Sequence, residues 1–233
     1  MKKNALVTGG NRGIGLEACR QLAQNGFKVW LGARNEKAGV EAAKALQDEE
    51  LEVQFIALDV GLPDMVETVK KQIMKEDGKL DVLVNNAGIF PDQKQSIVDI
   101  EPETFEDIQL TNYFGPFFTM RSFMPSMLEA GYGRIVNIAA EIGVSGTMDA
   151  PMGGAYKSSK YGLNALTRLF AGAVRKKNVK VNSVSPGWVQ TDLGGEKAKR
   201  KPAEAMEGIL WLAQLEEDGP NGKFFRDKDE LDF

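Results

Sequence analysis

The chain has 233 residues, a formal net charge of −4 and a pI of about 5.2, so it offers no basic footprint for DNA, RNA or an anionic membrane. It contains no histidine and one cysteine, which excludes a His-ligated zinc site, a Ser-His-Asp triad and an internal disulfide. Hydrophobic residues make up 42%, with 25 Gly and 9 Pro, the usage of a globular chain whose length suits one α/β domain over residues 1–233.

The first apolar run, Ala5-Leu6-Val7, begins within a few residues of Met1 and leaves no room for a signal peptide. No apolar run approaches 18 residues, so the expected compartment is the cytoplasm, with no membrane partner. The run reads as a strand and leads into Thr8-Gly9-Gly10-Asn11-Arg12-Gly13-Ile14-Gly15, a glycine-rich turn that opens an amphipathic helix through Ile14, Ala18 and Leu22. Glycines there permit a tight turn and close backbone approach, and the free N–H groups of a helix N-terminus suit a pyrophosphate. The spacing is GxxxGxG rather than GxGxxG. Cys19, inside this helix, reads as a small core filler.

Further strand signals fall near 27–32, 52–58, 81–84, 134–138, 179–184 and 223–225, with helical patterns between them. Such alternation implies right-handed crossovers and a parallel sheet covered on both faces. Arg34 follows the second strand signal, 19 residues after Gly15, where a site for NAD usually offers a carboxylate. Two guanidinium groups, Arg12 and Arg34, suit a phosphate instead, so NADP(H) is the expected cofactor; the alternative is that Arg34 opens a loop and Arg12 packs over the adenine. Asn112 stands in mid-helix, an unfavourable place by propensity. Tyr156 and Lys160 lie four residues apart in a helical segment, which raises both from one face. The lysine is expected to stabilise the phenolate and lower the tyrosine pKa, making the phenol a usable acid or base. The basic cluster Lys197-Lys199-Arg200-Lys201 reads as a solvated loop.

The blocks Thr8 to Gly15, Asp59-Val60, Asn85-Asn86-Ala87-Gly88, Asn112, Tyr156 with Lys160, and Pro186-Gly187 with Thr191 follow one another in order. On them the chain resembles a short-chain dehydrogenase/reductase over nearly its whole length, and Gly222-Lys223-Phe224-Phe225-Arg226-Asp227 resembles the carbonyl-reductase-like branch. The resemblance implies a Rossmann-type doubly wound parallel sheet of about seven strands, in the order 3-2-1-4-5-6-7, with the ligand outside the carboxyl ends of strands one and four. It implies NADP-dependent hydride transfer between nicotinamide and a small-molecule carbonyl or alcohol, with Tyr156 as acid or base. It also implies a homodimer or homotetramer packed through the helices at about 103–131 and 155–176.

Position by position, the resemblance places Gly9, Asn11, Arg12, Gly13, Ile14 and Gly15 in the cofactor cradle and Asp59, beside Val60, at the adenine amino group. Asn85, Asn86, Ala87 and Gly88 would line the cofactor, and Lys160 would reach the nicotinamide ribose and Tyr156. Pro186, Gly187, Val189 and Thr191 would flank the carboxamide. Asn112 would bend its helix and hold a water linking Lys160 to solvent. The departure from the pattern is Ala139-Ala140, where the family usually reads Ser-Ser and the catalytic serine corresponds to Ala140. Loss of one such donor costs roughly a hundredfold to a thousandfold in rate. Three accounts stay open: a variant made to slow the chemistry, an enzyme in which Ser145 or Glu141 substitutes, and a degenerate NADP-binding regulatory protein. Imine or enone reduction, for which a serine donor matters less, is the alternative chemistry. An apolar pocket is expected from Phe90, Ile142, Val144, Met152 and Trp188, each of which also suits a core position.

Overall fold

The computed structural model describes residues 2–144, 146 and 148–232. Among them, eight strands form one sheet in the order β3-β2-β1-β4-β5-β6-β7-β8. They are β1 (Asn4–Thr8), β2 (Lys28–Ala33), β3 (Val53–Ala57), β4 (Val82–Asn85), β5 (Gly133–Ile138), β6 (Val179–Ser185), β7 (Phe224–Arg226) and β8 (Asp229–Leu231). The first seven pair in parallel, in the order the resemblance implied. The antiparallel β8 was not expected. It is three residues of Asp-Glu-Leu with no alternating pattern, placed by a turn at Asp227 (φ 55) and by the Lys223–Glu230 ion pair at 2.5 Å.

The helices are α1 (Gly13–Gln24), α2 (Glu36–Asp48), α3 (Pro63–Asp77), α4 (Pro102–Gln109), α5 (Gly115–Ala130), α6 (Gly154–Ala173) and α7 (Met206–Ala213). They cover both faces of the sheet, as the two-residue alternation of the strands requires. Ala5 and Val7 of β1 join a core with Ala18, Leu22, Leu46, Ile209 and Leu212, whereas Leu6 between them joins a second core with Val69, Ile73, Phe123 and Leu166. Burial of each Leu-sized side chain contributes roughly 1.5–3 kcal/mol. This is the doubly wound Rossmann-type arrangement, with the ends of β1 and β4 opening one crevice. Cys19 is buried against α1's own core, where burial pushes its thiol pKa up. No described helix is long and apolar enough to cross a membrane.

The basic cluster differs from a freely solvated loop at one position. Arg200 donates to the carbonyl oxygens of Pro186 and Glu204 and pairs with Asp227 at 2.8 Å, tying the segment after β6 to the β7–β8 turn.

Candidate active site

The two helices that follow β1 and β2 begin differently. At α2, Asn35 Oδ1 accepts the Ala38 N–H at 3.0 Å and Glu36 supplies an acid in the first turn. At α1, Arg12 occupies the cap position without a side-chain cap bond, and the first turn carries no acid. Uncapped N–H groups at the positive end of a helix are the chemistry a pyrophosphate requires. The turn is held so that this end stays open. Gly13 has φ +54, which a side chain would strain, and a Cβ on Gly15 would lie 2.3 Å from the Gly9 carbonyl oxygen. Thr8 organises the turn from below: its Oγ1 accepts the N–H groups of Asn86 and Ala87, both at 3.0 Å. The residues therefore fit a dinucleotide phosphate.

Around this cradle the structure brings together segments distant in sequence. A Cβ on Gly9 would stand 3.0 Å from Ala87 Cα, and one on Gly13 would stand 3.0 Å from Thr191 Cγ2. Arg12 pairs with Asp192 at 2.6 Å, so the loop after β6 is bridged to the glycine turn. Arg34 is largely exposed at the end of β2, with Nη1 3.7 Å from Asp59 Oδ2. Asp59 Oδ1 also accepts the Gly61 N–H at 3.0 Å.

Several expected cofactor residues turn their side chains elsewhere. Asn85 is buried, donating to Asn137 Oδ1 at 2.8 Å and accepting from Thr119 at 2.7 Å, so its side chain faces the core and not the crevice. Asn86 donates to the carbonyl oxygens of Thr8 and Gly9. Val60 and Val189 place their side chains in the two cores. In each case the sequence signal was a motif position, and the side chain serves to shape the loop.

Lys160 and Asn112 converge behind Gly88: a Cβ at that position would lie 3.4 Å from Asn112 Oδ1 and 3.6 Å from Lys160 Nζ. Asn112 sits in one turn of π-helix, Leu110–Phe114, between α4 and α5. Its Oδ1 accepts the Ile89 N–H at 2.9 Å, and its Nδ2 donates to the Ile89 carbonyl at 2.9 Å and to Ser159 Oγ at 3.1 Å. Lys160 Nζ donates to the Ile138 carbonyl at 2.8 Å and lies 5.6 Å from the centre of the Tyr156 ring. Burial lowers the Lys160 pKa to about 8.

Tyr156 departs from expectation. Its pKa is pushed up, first by burial and then by the negative charge of Asp92, because low-dielectric surroundings disfavour the phenolate. Phe90 stacks on the ring with centroids 4.0 Å apart and planes inclined by 24°. The hydroxyl itself has no hydrogen-bond partner among the described residues.

Ala140, two residues after β5, has extended backbone (φ −153, ψ 142), and its carbonyl accepts the Gly143 N–H of a short 3-10 turn, Glu141–Gly143. Glu141 Oε1 accepts from Ser185 Oγ at 2.9 Å and pairs with Arg226, so this carboxylate is tied to β6 and β7. Ser145 lies outside the described residues. Of the expected pocket residues, Ile142, Met152 and Trp188 are exposed, and Phe90 and Val144 are half-buried; none belongs to the two cores. Sequence reasoning gave no individual role to Thr8 and Arg226, which it quoted only within motif blocks, and missed Asp92 and Asp192. No spacing joins Asp92 to Tyr156 or Thr8 to Asn86, so only the fold reveals them.

A family profile described as short chain dehydrogenase matches residues 3–202. Carbonyl reductase (NADPH) 1 of Rattus norvegicus is 32% identical over 273 aligned positions, covering 96% of each chain. An uncharacterised oxidoreductase of Thermotoga maritima is 35% identical over 199 residues, covering 85% of this chain and 76% of its own. Among solved structures, a variant of actinorhodin polyketide ketoreductase with NADPH is similar with a TM-score of 0.88 at 27% identity, covering 97% of this chain and 95% of that one. Salutaridine reductase from Papaver somniferum is similar with a TM-score of 0.83 at 28% identity, covering 97% of this chain and 100% of that one. The chain is a member of the short-chain dehydrogenase family of oxidoreductases.

Proposed function

We propose that the protein is an NADP(H)-dependent reductase of carbonyl compounds, with Tyr156 as the proton donor to the substrate oxygen. The observation that carries this reading is the meeting of Asn112 Oδ1 and Lys160 Nζ behind Gly88, with the Lys160 ammonium 5.6 Å from the centre of the Tyr156 ring, whose hydroxyl has no hydrogen-bond partner among the described residues. The cofactor supplies the hydride. The chain's own residues hold it by the open α1 N-terminus and by Arg34 at the end of β2, and they orient the substrate oxygen at Tyr156. Lys160 and Asn112 fix the helix and loop on which the phenol depends. The preference for NADP(H) is supported by Arg34 standing where an acid would repel a ribose phosphate, and by the NADPH named for the rat relative and the ketoreductase.

Ala140 favours a second reading, in which the site binds cofactor and turns over little ketone. The usual serine is missing, and Glu141 beside it is committed to Ser185 and Arg226. NADPH oxidation over a panel of ketones, aldehydes, enones and imines separates the two. Turnover of ketones or aldehydes supports the first reading; turnover of enones or imines alone replaces it with that chemistry, and binding of NADPH without turnover supports the second. A homodimer or homotetramer acting in the cytoplasm completes the proposal, on family resemblance.

A further inference from the structure

We propose that Phe90 is a positioning residue for Tyr156: its ring, seated in the space that Gly153 leaves open, lies flat on the phenol and fixes the plane in which the hydroxyl is presented. This rests on the role of Tyr156 as proton donor and adds the device that aims it.

The backbone on either side of Phe90 is held. Asn112 binds both the N–H and the carbonyl of Ile89 at 2.9 Å. Two residues beyond Phe90, Asp92 Oδ2 accepts the N–H groups of Ala155 at 2.8 Å and Tyr156 at 3.3 Å. Further along, the Gln95 carbonyl accepts the Gly153 N–H at 3.1 Å, and Ser96 pairs with Met152. The segment after β4 and the first turn of α6 are thus fastened to each other around the two rings, whose centroids lie 4.0 Å apart with planes inclined by 24°. Aromatic pairs usually stand about 4.5–7 Å apart, so these two flat faces are in full contact.

The start of α6 is built around the Phe90 ring. Gly153 stands at the cap position with φ 71 and ψ 31 and no side-chain cap bond, whereas α2 is capped locally by Asn35 on extended backbone. A Cβ on Gly153 would lie 2.9 Å from Phe90 Cε2 and 3.1 Å from Cζ, so a capping side chain there and the ring compete for one space. The cap comes instead from Asp92, on the segment that carries Phe90. Phe90 is half-buried and belongs to neither core, so filling the interior does not account for its place.

What the stack supplies is orientation. The Tyr156 hydroxyl has no hydrogen-bond partner among the described residues, and the Lys160 ammonium, 5.6 Å from the ring centre, is bonded to the Ile138 carbonyl. Among the described residues, then, no polar bond sets the plane of the phenol, and the second side-chain torsion of a tyrosine has broad wells. A flat neighbour in contact narrows that torsion. Proton donation requires the hydroxyl within hydrogen-bond reach of the substrate oxygen, and a displacement of about 1 Å can cost about a hundredfold in rate.

The test crosses shape with polarity. Phe90→Leu keeps an apolar side chain and removes the flat face; Phe90→His, neutral at about pH 8, keeps a flat ring and gives up apolar volume. Packing alone ranks the leucine variant above the histidine variant, and positioning ranks them the other way. With the carbonyl compound that the parent turns over fastest, Phe90→Leu should lose about ten- to a hundredfold in kcat, with KM and NADPH affinity close to those of the parent. Phe90→His should stay near the parent in kcat even with a lower Tm. A parental kcat in Phe90→Leu, a rise in KM without a loss in kcat, or a loss in Phe90→His as large as that in Phe90→Leu overturns the proposal. The second readout needs no substrate: the Tyr156 signal in protein whose tyrosines carry 13C at both Cε atoms, assigned by its loss in Tyr156→Phe. Hindered ring flips should give a doubled or broadened signal in the parent and in Phe90→His, and a single sharp one in Phe90→Leu; the same signal in the parent and Phe90→Leu overturns the proposal. If the ring is freed in Phe90→Leu while the parent turns over no carbonyl compound, Phe90 holds Tyr156 as stated and the reductase reading fails by itself.

Discussion

Lys160 on α6 donates from Nζ to the carbonyl oxygen of Ile138 on β5 at 2.8 Å, so the buried ammonium is anchored two residues before Ala140. The same ammonium lies 5.6 Å from the centre of the Tyr156 ring. It also gives the site a pH signature.

Lys160 titrates near pH 8 in the folded chain and near its ordinary value of about 10.4 when unfolded. Below pH 8 it is charged in both states and its burial penalty is fully present. Between about 8 and 10 the unfolded chain binds more protons, so stability attributable to this residue rises with pH. Thermal melts from pH 6 to 10 should therefore show the parent gaining on Lys160→Met as pH rises through this window. A constant gap would contradict the lowered pKa.

Tyr156→Phe removes the hydroxyl and leaves the Phe90 stack intact. Turnover of every carbonyl substrate should be lost while NADPH affinity, measured by fluorescence titration, stays close to that of the parent. Retained turnover would assign the proton to another group.

Arg34 is the exposed cation at the end of β2, whereas Arg12 is engaged with Asp192. Arg34→Asp should weaken NADPH binding by about tenfold or more, the worth of one charge-assisted hydrogen bond, and improve NADH binding. Equal affinity of the parent for both cofactors would remove the basis for this expectation.

Ala140→Ser restores a hydroxyl where the family pattern has one. Ketone turnover should rise by about two orders of magnitude with cofactor affinity nearly unchanged. No gain, together with loss of activity in Ser145→Ala, would transfer the donor role to Ser145.

Thr8→Val keeps the shape of the side chain and removes the acceptor for the Asn86 and Ala87 N–H groups. Chemical denaturation should show a loss of about 2 kcal/mol, with weaker NADPH binding because the loop beside Gly9 loosens. Unchanged stability would show that the two N–H groups find other partners.

The order of the strands came from the resemblance to the family, while the sequence by itself determined seven strand signals with helical patterns between them, the glycine turn at the start of α1, and the four-residue spacing of Tyr156 and Lys160. These are local signals: apolar alternation of period two, glycine where backbone must approach backbone, and two side chains four residues apart on a helix. It also exposed the departure at Ala140. What it determined less well was the direction in which motif side chains point. Asn85, Val60 and Val189 occupy family positions, yet their side chains are in the interior, because residues flanking a turn alternate faces and only packing selects the face. The tertiary structure alone decided that Asp92, 64 residues from Tyr156, caps the helix that carries it, and that the Tyr156 pKa rises where the lysine pair had implied a fall. Burial and through-space charge depend on which distant segments close over a group, and no spacing along the chain encodes that closure.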